Sequence, residues 1–131
     1  FVNCHFAKRS RITEAMQEIG FDEADRYYKH PDSEYFVEFP PGPLSIGEEH
    51  ITDVREIELE TGLLRLLSPT DSVKDRLAWY YHFEDQQCLA QAIMICEAHS
   101  IHLEELERWS KGEGQLDAFN RIRKRLSAAG Q

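Results

Sequence analysis

Apolar residues near the start of the chain recur at the spacing of a helix. They stand at i, i+3, i+4 and i+7, as Ile12, Ala15, Met16 and Ile19. This spacing predicts one apolar stripe on a helix over 7–19. Gly20 follows where a helix C-cap commonly falls.

The pattern then changes to short segments bounded by turn residues. Segments 25–30 and 35–39 are rich in aromatic residues and are separated by Pro31-Asp32-Ser33-Glu34, which predicts a β-hairpin. Pro40-Pro41-Gly42-Pro43 predicts a rigid loop, because proline has no backbone donor for a sheet. Segments 54–59 and 63–67 predict two further strands around Thr61-Gly62, a tight-turn sequence.

Helical patterning returns at Ser68-Pro69-Thr70-Asp71, which supplies a hydroxyl N-cap, a proline at the first position and an acid in the first turn. Apolar stripes predict helices that begin there and over 85–99, 103–109 and 116–126. The sequence therefore predicts an α+β fold: a small, mainly antiparallel sheet with one flanking helix, followed by a helical C-terminal half. We expect one domain over 1–131, in which an α+β part (1–67) and a helical part (68–131) share one core.

Composition narrows the class of protein. The chain has 131 residues and a net charge of -9, which argues against broad electrostatic binding to nucleic acid. No apolar run is long enough for a membrane span, so we expect no membrane partner. Three cysteines are too few for a disulfide framework and favour a cytoplasmic location. The chain begins Phe1-Val2-Asn3, which is typical of the end of a buried strand, so we expect sequence upstream of it.

Two cations on the helix that begins at Ser68 allow two interpretations. Asp71 and Lys74 lie three residues apart, which is the spacing of an ion pair on an exposed helix. Alternatively, Lys74 and Arg76 present positive charge to an anionic ligand, as phosphate sites require. Glu38 lies in a predicted strand, where a carboxylate that faces solvent is the ordinary case in a chain with many acids.

A resemblance adds to this picture. The stretch LSPTDSVKDRLAWYYHFEDQQCLAQA resembles the helical part of nucleotidyltransferase-like proteins of the AbiEii/AbiGii toxin type. The stretch EIGFDEADRYYKHPDSEYFVEFPPGPLSIG is similar to small bacterial members of that group. The resemblance covers roughly 1–110.

The resemblance implies binding of a nucleoside triphosphate with Mg²⁺ and transfer of a nucleotidyl group to an unidentified acceptor, with RNA and protein both open. Lys74 then matches the helical lysine that contacts phosphate, with Arg76 assisting, and Asp85 matches the acidic residue that starts the next helix. Glu38 matches the third catalytic, metal-binding carboxylate. The family's Gly-Ser turn and Asp-x-Asp pair are not in this sequence and would fall before Phe1. These groups suit the reaction, since carboxylates hold Mg²⁺ and cations neutralise the leaving pyrophosphate.

A different class of function is also open. The chain is then a non-catalytic interaction or regulatory protein that retains the fold. An acidic surface with a basic cluster near the C-terminus would suit a protein partner. That cluster comprises Arg121, Arg123, Lys124 and Arg125.

Overall fold

The computed structural model describes residues 8–39 and 44–129. The chain divides into two compact units, one ending at Leu44 and the other beginning at Ser45. The single domain stays a prediction. The loop predicted at 40–43 and the chain start at Phe1 lie outside the described residues.

The first unit is a helix followed by a three-stranded antiparallel sheet. In chain order its elements are α1 (Arg9–Glu18), β1 (Asp22–Ala24), β2 (Tyr27–Lys29) and β3 (Phe36–Glu38). The predicted hairpin is confirmed, because β2 pairs with β3. Strand β1 was not predicted. It joins β2 through a turn in which Asp25 has a φ of 56°, a left-handed conformation that aspartate tolerates better than most residues.

Met16 of α1 and Tyr28 of β2 are the buried apolar residues of this unit within its described part. The hydroxyls of Thr13 and Tyr28 lie 2.9 Å apart and share a hydrogen bond. Arg9 Nε donates to Glu23 at 2.9 Å. The helix therefore contacts the sheet through the polar side chains of Arg9 and Thr13.

The second unit begins with two short hairpins. Its strands are β4 (Ser45–Ile46), β5 (Glu49–His50), β6 (Val54–Leu59) and β7 (Gly62–Leu67), which pair as β4 with β5 and β6 with β7. The β6–β7 hairpin confirms the prediction. The β4–β5 hairpin was not predicted. It turns at Gly47, whose φ is +60° and whose added Cβ would collide with the carboxylate of Glu113.

Four helices complete this unit: α2 (Pro69–Phe83), α3 (Gln86–Ala98), α4 (Leu103–Gly112) and α5 (Leu116–Ala129). All four were predicted. As expected from its sequence, α2 starts at an N-cap serine, because the Oγ of Ser68 accepts from the backbone N–H of Asp71 at 3.1 Å. Glu84 ends the helix with a φ of 53°.

The core of the second unit is formed by apolar residues of the four helices and of β4. Trp109 and Phe119 are its largest fully buried members, followed by Leu77, Leu89, Leu106 and Leu126. The indole Nε1 of Trp109 donates to the carbonyl of Ile46 at 3.4 Å, which joins β4 to the helices. The α+β class and the helical C-terminal half are confirmed, with the strands divided among three small antiparallel sheets. None of the helices in the described part is long and apolar enough to cross a bilayer.

Candidate functional site

Lys74 lies at the centre of a charged cluster in the second unit. It is only 5% exposed, and its Nζ lies 2.8 Å from Glu105, 3.2 Å from Asp71 and 3.9 Å from Glu49. These partners come from α4, from α2 and from β5. The lysine therefore connects three elements of the unit through carboxylates.

Arg108 completes this cluster. Its guanidinium donates to Glu105 from Nε at 2.7 Å and to Glu49 from Nη2 at 2.7 Å. We call Glu49, Asp71, Lys74, Glu105 and Arg108 the Lys74 cluster. Three carboxylates and two cations leave it with one net negative charge.

The charges of the cluster stabilise one another. Burial opposes the charge of Lys74, but hydrogen bonds from its ammonium to Glu105 and Asp71 outweigh that cost, so the pKa of Lys74 lies above its ordinary value. Hydrogen bonds from Arg108, and then from Lys74, lower the pKa of Glu105 to about 2. Each charge has opposite charges beside it.

A polar cleft of about 180 Å³ opens beside the cluster. That volume is smaller than the roughly 300–1,000 Å³ typical of small-molecule sites. Its wall includes the acids Glu49, Asp53, Asp71 and Glu105, the cations Arg55 and Lys74, and the histidines His50 and His102. Among these side chains the acids outnumber the cations, which is unfavourable for an incoming phosphate.

Arg76 makes a separate set of contacts. Its Nε donates to Asp75 at 3.0 Å, and its Nη1 donates to Gln91 of α3 at 3.2 Å. Burial opposes the charge of Arg76, but the hydrogen bond to Asp75 outweighs it and the pKa of Arg76 is raised. Arg76 follows Lys74 by two residues, which is roughly 200° of rotation on a helix with 3.6 residues per turn. The two cations therefore contact different neighbours.

Asp85 is the N-cap residue of α3. One carboxylate oxygen accepts the backbone N–H groups of Gln87 at 2.9 Å and Cys88 at 3.1 Å. These bonds lower the pKa of Asp85, with the backbone N–H of Cys88 making the largest contribution. The structure brings Asp85 and Arg76 together around the Cys88 thiol, which lies 3.4 Å from the carboxylate and 3.9 Å from the guanidinium.

Glu38 lies in the other unit, on β3. Its carboxylate is 3.4 Å from the Nε of Arg26, and in the sheet it stands opposite Tyr27. Mg²⁺ prefers several oxygen ligands around it, whereas Glu38 supplies one carboxylate that already faces a guanidinium. Among residues 8–39 and 44–129, no three His, Cys, Asp or Glu side chains are grouped to hold a metal. The residues at Glu38 do not by themselves fit Mg²⁺, and the binding of Mg²⁺ stays a prediction.

Sequence reasoning missed Glu49, Glu105 and Arg108. Glu105 and Arg108 are three residues apart on a predicted helix, so their ion pair could have been found from spacing alone. Their contacts with Lys74 and Glu49 depend on the packing of α4 against other elements.

The β6–β7 hairpin carries the second notable feature of this unit. The register places Ile57 opposite Leu64, Arg55 opposite Leu66 and Leu59 opposite Gly62. Because side chains alternate along a strand, four apolar residues share one side of the hairpin with Arg55. We call these four residues the hairpin face: Ile57, Leu59, Leu64 and Leu66. Of these, Ile57 is 45% exposed, Leu59 47% and Leu64 37%.

No protein-family model, curated protein or solved structure matches this chain. The resemblance to AbiEii/AbiGii-type nucleotidyltransferases therefore remains a prediction from the quoted stretches. So do the nucleotide-binding roles of Lys74, Arg76 and Asp85 and the catalytic role of Glu38.

Proposed function

We propose that this chain is a non-catalytic interaction or regulatory protein that contacts a protein partner through the hairpin face. The observation that carries this proposal is the exposure of Ile57, Leu59 and Leu64 on one side of the hairpin. Contiguous exposed apolar side chains mark interaction surfaces more often than chance, because leaving them in water costs free energy. The proposal places the protein in the cytoplasm, where the buried thiols of Cys88 and Cys96 stay reduced.

The charged residues support the same proposal. Lys74, Arg76 and Asp85 are engaged by partners within the chain, and each has a structural role that needs no ligand. A triphosphate at Lys74 would have to displace Glu105 and Asp71 or bind beside them. Displacing them would cost the charge-assisted hydrogen bonds that now hold the lysine.

A site-specific crosslinking experiment tests the proposal. A photoreactive amino acid replaces Leu64 in the protein expressed in its own cells, with Met94, which is 63% exposed on α3, as the matched control position. We expect a discrete adduct from position 64 that disappears when Ile57→Glu is added and that is absent from position 94. Equal adducts from both positions, or none from position 64, would contradict the proposal.

Nucleotidyl transfer is the second candidate, and the position of Lys74 in the wall of the polar cleft favours it. In this proposal the cleft widens for a nucleoside triphosphate with Mg²⁺, and Lys74 contacts phosphate. Titration calorimetry with ATP and Mg²⁺ tests this candidate against the first. Binding that weakens by about 1–3 kcal/mol in Lys74→Ala, the loss of one charge-assisted bond, would favour nucleotidyl transfer. Heats no larger than those of dilution would exclude it.

A further inference from the structure

We infer that the outer edge of β6 binds an extended segment of a partner protein in which basic and apolar residues alternate. This inference rests on the proposed interaction function and names the partner's chemistry. Within the described part of the chain, β6 pairs with β7 alone, and all six of its residues are exposed. A strand at the edge of a sheet leaves backbone donors and acceptors that a further strand can satisfy.

The two sides of β6 differ in chemistry. Ile57 and Leu59 of the hairpin face share one side of β6 with Arg55, whereas Glu56 and Glu58 point to the opposite side, because alternate residues of a strand point to opposite sides. Glu56 is 2.9 Å from Arg65 of β7, but Glu58 stands opposite Leu63. The residue of β7 that faces Glu58 is therefore apolar, and an added strand could place a basic residue beside the Glu58 carboxylate.

An added strand would meet these side chains in register. Cross-strand neighbours on one side of a sheet interact directly, and opposite charges there are favourable. Lysine or arginine opposite Glu56 and Glu58 would complement their charge, and apolar residues in between would extend the hairpin face. The net charge of -9 on the whole chain would also attract a basic segment and speed its association.

The same acids argue against a second copy of this chain as the occupant. Two copies of β6 related by a two-fold axis would pair antiparallel with like sides together. A register centred on residue 56 then places Glu56 opposite Glu56, and one centred on residue 57 places Glu56 opposite Glu58. Like charges directly opposite each other destabilise a strand pair. We therefore assign the edge to a different chain with basic residues.

Fluorescence anisotropy with a labelled synthetic peptide tests the inference. The probe is an eight-residue peptide of alternating Lys and Val, titrated with the whole chain. Two control peptides carry Glu in place of Lys, or the same Lys and Val residues as two blocks. We expect the alternating basic peptide to bind at least tenfold more tightly than either control.

Matched variants locate the contact. Glu58→Lys should weaken binding of the alternating peptide at least tenfold, whereas Glu104→Lys, which makes the same charge change on the exposed surface of α4, should weaken it less than threefold. An equal loss in both variants would show general charge attraction and overturn the inference. Equal affinity for the alternating and block peptides would overturn it as well.

The outcome can be separated from that of the proposed function. A Leu64 crosslink that survives while the alternating peptide does not bind would overturn the edge assignment and keep the interaction function. If neither the Leu64 crosslink nor binding of the alternating peptide is observed, the interaction function and the edge assignment are both overturned. Sedimentation equilibrium that shows a dimer weakened by Ile57→Glu would overturn the inference in favour of a second copy.

Discussion

The Nζ atom of Lys74 lies 2.8 Å from Oε1 of Glu105, a residue 31 positions further along the chain. This contact joins α2 to α4, and the backbone N–H of His102 adds a second link by donating to Oγ1 of Thr70 at 3.3 Å. A lysine that is 5% exposed keeps its charge only where carboxylates offset the loss of water. Its role in holding the helices together therefore follows directly from its burial.

Replacing Lys74 with methionine should destabilise the protein. The substitution keeps most of the side-chain volume but leaves Asp71, Glu105 and Glu49 without their shared ammonium. We expect the free energy of unfolding to fall by about 1–3 kcal/mol, the cost of leaving charged partners unsatisfied. Urea unfolding followed by circular dichroism measures it.

The control for this prediction is Lys111→Met, which removes an exposed lysine near the end of α4. It should change the free energy of unfolding by no more than about 0.5 kcal/mol. If Lys74→Met were as mild as this control, the ammonium would be free of its structural role and available to a ligand.

The stability that Glu105 contributes should depend on pH. Its ordinary pKa of 4.5 falls to about 2 in the folded protein. A depressed carboxylate pKa gives stability that is present above the unfolded value and is lost as pH falls through the folded value. The stability difference between the wild type and Glu105→Gln should therefore be constant above about pH 5 and shrink between about pH 4.5 and pH 2.

Unfolding titrations at a series of pH values measure this difference. The control is Glu104→Gln, an exposed change on the same helix. Its free energy of unfolding should depend on pH in the same way as that of the wild type. A difference between the wild type and Glu105→Gln that stays constant down to pH 2 would contradict the assigned hydrogen bonds.

Much of the fold could be predicted because its signals are local. Ser68 and Pro69 specify the start of α2, and Thr61-Gly62 specifies the turn between β6 and β7. The strands β1, β4 and β5 were not predicted, since they are only two or three residues long and lack the aromatic residues that indicated β2 and β3. The turn before β2 depends on the backbone conformation of Asp25, which its sequence neighbours do not reveal.

The candidate site could be predicted only in part, for a physical reason. The pair Asp71 and Lys74 lies within one turn of a helix, so spacing alone suggested it. The contacts of Lys74 with Glu105 and Glu49 are made by tertiary packing, which no spacing along the chain encodes. That Lys74 and Arg76 point to different sides follows from the helical period, and it weighs against one phosphate group bound by both.

Asp85 should act through the start of α3. Asp85→Ala removes the acceptor for the backbone N–H groups of Gln87 and Cys88, so we expect the free energy of unfolding to fall. Asp85→Asn keeps a capping oxygen without the negative charge and should retain most of the stability. Urea unfolding of the three proteins compares them. An asparagine variant as unstable as the alanine variant would show that the charge, rather than the cap, is what matters.

Tyr81 should make the protein sensitive to alkaline pH. Its hydroxyl shares a hydrogen bond of 3.0 Å with Oγ of Ser110, which is fully buried. Burial raises the pKa of Tyr81 to about 12 from an ordinary 10. Because the unfolded chain loses this proton at lower pH than the folded chain, the stability tied to Tyr81 is complete below about pH 10 and is lost as pH rises towards 12.

Tyr81→Phe should lower the free energy of unfolding at pH 7 by about 1–3 kcal/mol, since Ser110 loses its partner. Between pH 10 and 12, the free energy of unfolding of this variant should also fall less steeply than that of the wild type. Tyr35→Phe, at a side chain that is 77% exposed, should behave as the wild type does, and equal slopes in all three proteins would contradict the burial of the Tyr81 hydroxyl.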